Sequence, residues 1–112
     1  KAWALYGYTM SYRETGDPEF LDQAEKIAGF IIDHPRLPEN KIPYWDFDDP
    51  EIPDTYRDAS AAAIICSALI ELSQFSEKTH GDKYLKVAET LIQTLSSPEY
   101  RAEPGANGNF LL

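Results

Sequence analysis

The chain has 112 residues, is 43% hydrophobic and 12% aromatic, and carries a formal net charge of −9. This composition suits one globular domain. The acidic balance excludes nucleic acid and anionic membrane surfaces as partners, because both call for faces rich in Lys and Arg. No apolar run reaches the length of about 18 residues that a spanning helix needs, and no secretory leader pattern is present. Lys1 is not an initiator methionine, so a preceding segment is expected.

The first predicted helix runs from about Ala2 to Arg13 and is apolar or aromatic on nearly every side, with Trp3, Leu5, Tyr6, Tyr8, Met10 and Tyr12. Gly16 stops it. Asp17 then caps a second helix with Pro18 at its first position, and Leu21, Ala24, Ile27, Ala28 and Ile31 form its apolar stripe. From His34 to Thr55 the chain carries Pro35, Pro38, Pro43, Pro50 and Pro53 and shows no helical period, which reads as one long loop. Loops of that length lean functional. A third helix spans about Asp58 to Ser73, capped by Asp58 or Asp54. It holds no charge from Ala59 to Ile70 and is expected to be buried all round. The fourth begins near Gly81-Asp82 with Tyr84, Ala88, Leu91 and Leu95 on one face, and Pro98 ends it. Residues Arg101 to Leu112 read as loop, with a turn at Gly105 to Gly108.

The chain repeats itself. Phe20-Leu21, Ala24-Glu25, Ile27 and Ile31 recur 64 positions on as Tyr84-Leu85, Ala88-Glu89, Leu91 and Leu95. Each half places an apolar helix before an amphipathic one, and such units need neighbours to hide the apolar member. The fold class expected is therefore all-α: two helical hairpins of an α/α toroid, apolar helices inside and amphipathic ones outside. The spacing is far from the roughly 34 residues of tetratricopeptide repeats.

Single residues add less. Cys66, the one cysteine, lies in the uncharged helix and reads as a packed core thiol; it leaves the compartment open between cytoplasm and periplasm. His34 and His80 have no partner spacing for a metal. The acids Asp46, Asp48, Asp49, Glu51 and Asp54 lack the spacing of a calcium loop and read as a solvated cluster. If the loop is extended, Asp46 and Asp48 share a face, where a structural role is expected over a catalytic one.

Four segments carry a family resemblance. Pro43-Tyr44-Trp45-Asp46-Phe47-Asp48 followed by Arg57-Asp58-Ala59-Ser60-Ala61-Ala62-Ala63 closely resembles glycoside hydrolase family 88, the unsaturated glucuronyl hydrolases. Ala2-Trp3-Ala4-Leu5-Tyr6-Gly7-Tyr8 is similar to the stretch after that family's Arg-Gly-Gln motif, and Gly108-Asn109-Phe110-Leu111-Leu112 to the stretch before its last barrel turn. The resemblance implies an (α/α)6 barrel, the six-hairpin glycosidase-like toroid, of which residues 1–112 form a part incomplete at both ends. It implies an enzyme that releases unsaturated uronic acid from lyase-generated oligosaccharides by hydrating the C4=C5 double bond, with no cofactor and no metal.

The family's catalytic aspartates lie upstream of its Arg-Gly-Gln motif, so no catalytic residue is expected here and the isolated piece is expected to be inactive. Lys1 stands where the family usually has Gln. Trp3 is the substrate-binding residue that the resemblance implies. Trp45, Asp46, Arg57 and Asp58 are expected at the pocket rim or in structural roles, with Arg57 bonding a loop carboxylate such as Asp46. The expected partners are an unsaturated oligosaccharide and the remaining barrel segments. The alternatives are an unsaturated rhamnogalacturonyl hydrolase of family 105 and a non-catalytic helical scaffold module.

Overall fold

The structure, a computed structural model, describes residues 1–98 and 100; the loop expected over Arg101 to Leu112 and its Gly105–Gly108 turn lie outside the described residues. Among the described residues four helices make up two hairpins: α1 (Ala2–Thr15) with α2 (Pro18–Ile32), and α3 (Ala59–Ser73) with α4 (Lys78–Leu95). Helix α1 packs on both α2 and α3, and α3 on α4, so α1 and α3 lie side by side between the two amphipathic helices.

Local chemistry sets most boundaries. Gly16 closes α1 in the left-handed region at φ 69°, its N–H donating to Tyr12 O, a conformation that glycine adopts without Cβ strain. The Asp17 carboxylate accepts from the Glu19 N–H at 3.0 Å to cap α2, and Asp58 caps α3 by accepting from the Ala61 N–H at 2.9 Å. The fourth helix differs from expectation. It starts at Lys78, so Gly81 lies in its first turn, Asp82 follows just after, and neither precedes the helix. A Cβ on Gly81 would stand 2.8 Å from the Ser73 carbonyl oxygen. Gly81 is thus a close-approach glycine that lets α4 touch the end of α3. The link between these helices runs through residues 74–77, longer than the Gly16-Asp17 link of the first hairpin.

The core between the hairpins holds fully buried Leu5, Ile42, Leu69, Leu72 and Leu91. Each such side chain contributes roughly 1.5–3 kcal/mol on leaving water. Ala24, Ala28, Ala62, Ala68 and Ala88 are buried between them, keeping the helices close. Cys66 is buried on α3, its thiol 3.5 Å from the Ala88 carbonyl, and burial pushes it above the ordinary thiol pKa.

Burial of α3 on every side is not what the structure has. Ala62, Ile65, Cys66, Ala68, Leu69 and Leu72 are buried, whereas Ser60, Ser67 and Ile70 are exposed. Helix α1 likewise buries Ala2, Leu5 and Thr9 and leaves Trp3, Tyr8 and Met10 open. Among the described residues only the flanking helices and the long loop cover these two elements.

Residues 33–58 form that loop, a chain of turns tied down at its base. Arg57 is the tie. Its Nη1 donates to Asn40 Oδ1 at 3.0 Å and to Ile42 O at 3.3 Å, and its guanidinium lies over the Tyr44 ring, 4.9 Å from the centroid. The expected bond to Asp46 is not made; the guanidinium is turned toward Asn40, the Ile42 carbonyl and the Tyr44 ring instead. Thr94 on α4 donates to Asn40 O at 3.2 Å, linking the loop to the second hairpin. Tyr44 and Arg57 form an antiparallel bridge, and Asp58 N–H donates to Pro43 O at 2.8 Å, which delivers the loop into the start of α3.

Candidate functional site

The N-terminal ends of α1 and α3, the last turn of α2 and the long loop enclose a cleft of about 390 Å³. Helix α1 contributes Ala2 and Trp3 with Lys1 just before it; α2 contributes Phe30 and Ile31; α3 contributes Ser60, Ala61, Ile64 and Ile65 behind its cap Asp58. The loop supplies His34 and the run from Pro43 to Asp48.

Of the residues singled out in the sequence, Trp3, Trp45, Asp46 and Asp58 all line this cleft, although 42 positions separate the two tryptophans in the chain. Arg57 does not; it faces Asn40 and Tyr44 at the base of the loop. Both tryptophans are open to solvent, Trp3 at 70% and Trp45 at 59%, and they are the only two in the chain. Trp3 meets Tyr6 edge-on at 6.2 Å.

The acids of the cleft are engaged in turns. Asp46 Oδ1 accepts from the Asp48 N–H at 2.9 Å, and its carbonyl accepts from the Asp49 N–H at 3.2 Å. Because the segment turns there, Asp46 and Asp48 do not stand on one face of an extended strand. Asp58 holds the start of α3 and also accepts from the Ser60 hydroxyl at 2.8 Å.

Sequence reasoning missed part of the lining. His34 stacks on Phe47 at 4.1 Å with an interplanar angle of 13°, and meets Phe30 edge-on at 5.4 Å. Its Nδ1 accepts from the Arg36 N–H, and Lys1 Nζ lies 4.7 Å from the Phe30 centroid. Phe30 was the available signal, a large aromatic that falls outside the apolar stripe of Leu21, Ala24, Ile27, Ala28 and Ile31 on the second helix.

The expected solvated acid cluster needs a second correction. Asp46, Asp48, Glu51 and Asp54 are exposed, but Asp49 is buried at 9% exposure. It accepts from the Glu51 N–H at 2.8 Å, the Thr55 hydroxyl at 2.9 Å and the Trp45 ring N–H at 2.7 Å. The Glu51 amide bond, then the Thr55 hydroxyl and the Trp45 ring N–H, holds its carboxyl below the ordinary range, against the opposing effect of burial. Among the described residues no group of three His, Cys, Asp or Glu side chains is arranged to hold a metal ion.

No family model matches the chain. A curated relative, the unsaturated glucuronyl hydrolase of Formosa agariphila, is 50% identical over 112 residues, the whole of this chain and 27% of that protein. The crystal structure of a heparin-specific unsaturated glucuronyl hydrolase superposes with a TM-score of 0.95 at 54% identity over 99% of this chain. These residues are homologous to one stretch of the unsaturated glucuronyl hydrolases. The glucuronyl hydrolase of Bacillus sp. GL1 is more distant, with a TM-score of 0.75 and 31% identity over 84% of this chain. The chain spans between a quarter and three-tenths of these hydrolases, and its four helices in two hairpins correspond to part of their α/α barrel.

Proposed function

We propose that these residues form two hairpins and one rim of the substrate cleft in an (α/α)6-barrel enzyme that removes unsaturated uronic acid from lyase-generated oligosaccharides. One observation carries the reading: the two exposed tryptophans line a single cleft in a chain that matches a glucuronyl hydrolase over its whole length. Flat indole faces suit the apolar C–H surface of a sugar ring. Trp3 is the substrate-contacting residue, Trp45 and Asp46 shape the rim, Asp58 fixes the start of α3 beneath it, and Arg57 anchors the loop.

The chemistry is hydration of an enol ether. An aspartic acid outside these 112 residues protonates C4 of the C4=C5 double bond, water adds at C5, and the proton it sheds returns to a carboxylate. The resulting hemiketal opens and releases the neighbouring sugar. Such a step needs a positioned carboxyl of tuned pKa. In the barrel, further hairpins cover the open faces of α1 and α3, so the isolated 112 residues are inactive.

The test is turnover of unsaturated disaccharides by the longest natural chain carrying these residues, followed as loss of the double bond's ultraviolet absorbance. Consumption of glycosaminoglycan-derived substrates is expected. Consumption of pectin-derived ones alone would move the protein to the rhamnogalacturonyl hydrolases. The isolated 112 residues are expected to self-associate in size-exclusion chromatography through Trp3, Tyr8, Met10 and Ile70. A monomer that melts cooperatively in urea would favour a free-standing scaffold module.

A further inference from the structure

An indole as exposed as Trp45 ordinarily leaves its N–H to water and its ring free to change rotamer. Trp45 does neither. Its backbone N–H donates to Tyr56 O at 3.0 Å, and its ring N–H is shared between Asp49 Oδ2 at 2.7 Å and Thr55 Oγ1 at 3.1 Å. The Thr55 hydroxyl in turn donates to Asp49 Oδ2, and Asp49 Oδ1 accepts from the Glu51 N–H. Every member of this network lies in the loop, none on the four helices. A buried carboxylate is thus committed to a ring whose face remains open on the cleft.

We infer that Asp49, assisted by Thr55, is a positioning residue that locks the Trp45 indole as a pre-set stacking wall for the sugar. This rests on the reading of the cleft as a saccharide site. A ring fixed beforehand loses little rotamer freedom when ligand arrives, so the restraint appears as affinity. Neither Asp49 nor Thr55 needs to touch the substrate.

The substitution Asp49→Asn tests the lock. The amide keeps the shape but replaces one acceptor oxygen with a donor. With its oxygen left on the Glu51 N–H, its NH2 faces the indole N–H, donor against donor. In the longest natural chain, Asp49→Asn is expected to raise KM for an unsaturated disaccharide about fivefold with kcat little changed, the size of one ordinary net hydrogen bond, because only the pre-setting of the ring and no contact to the sugar is lost. Thr55→Val, a milder change that spares the Asp49 carboxylate, is expected to raise KM about twofold. The Asp49 effect should vanish in a Trp45→Phe background, which keeps an aromatic face and lacks the N–H. An equal KM increase in that background, or none in either, would overturn the proposal.

A second readout needs no substrate: the Trp45 indole N–H resonance should move in Asp49→Asn and in Thr55→Val. An unmoved resonance overturns the lock, whatever the chain hydrolyses. A moving resonance in a chain that leaves every unsaturated disaccharide intact would support the lock and sink the hydrolase reading instead.

Discussion

The two hairpins share one residue pattern and use its glycine in opposite ways. In the first, Gly16 ends a helix in the left-handed region and Asp17 opens the next. In the second, Gly81 lies inside α4, where its missing side chain admits the backbone of Ser73. The longer link through residues 74–77 makes the difference: Gln74, Phe75 and Ser76 donate back to Glu71 O and Leu72 O, the chain reverses, and α4 is under way before the glycine arrives. The same letter therefore answers to backbone freedom in one place and to packing in the other.

Substitutions in the longest natural chain, followed by urea unfolding, would break or sharpen that contrast. Leu69→Ala should cost most, about 2–5 kcal/mol, because a fully buried side chain on α3 is lost from the core shared by both hairpins. Gly81→Ala should cost about 1–3 kcal/mol, since the new methyl meets a backbone oxygen that cannot rotate away. Gly16→Ala should cost about 1–2 kcal/mol through left-handed strain alone, as nothing lies within 4 Å of the added carbon. A larger loss at Gly16 than at Gly81 would reverse the assignment. Asp58→Ala should remove about 1 kcal/mol of capping from α3.

A last effect is silent at neutral pH. Burial, with help from Glu25 and Asp33, pushes the Tyr84 phenol from 10.0 up to about 12. The folded chain holds this proton more tightly than the unfolded one, so stability is complete below pH 10 and is lost as pH rises toward about 12. Tyr84→Phe should flatten that alkaline decline in thermal melting.

The ends of α1, α2 and α3 were legible because caps are local chemistry: a left-handed glycine, an Asp-Pro start and an aspartate before an alanine run each act within a few residues. The start of α4 was not, since a capping glycine and a packing glycine look alike in one sequence. Trp3, Trp45, Asp46 and Asp58 meet in the cleft as members of three of the segments that carried the resemblance. Arg57 stands beside Asp58 in one of them yet turns to Asn40, a partner 17 positions away that no spacing rule picks out. Asp49 was hidden among four other acids, and only folding distinguishes the one that is buried.

Both indoles of these 112 residues lie on the cleft, and the helical core contains none. Intrinsic tryptophan emission from this segment would therefore report what occupies the groove far better than whether the helices are assembled. Ligand titrations come with a built-in probe, whereas a folding measurement by the same light would follow the wrong part of the molecule.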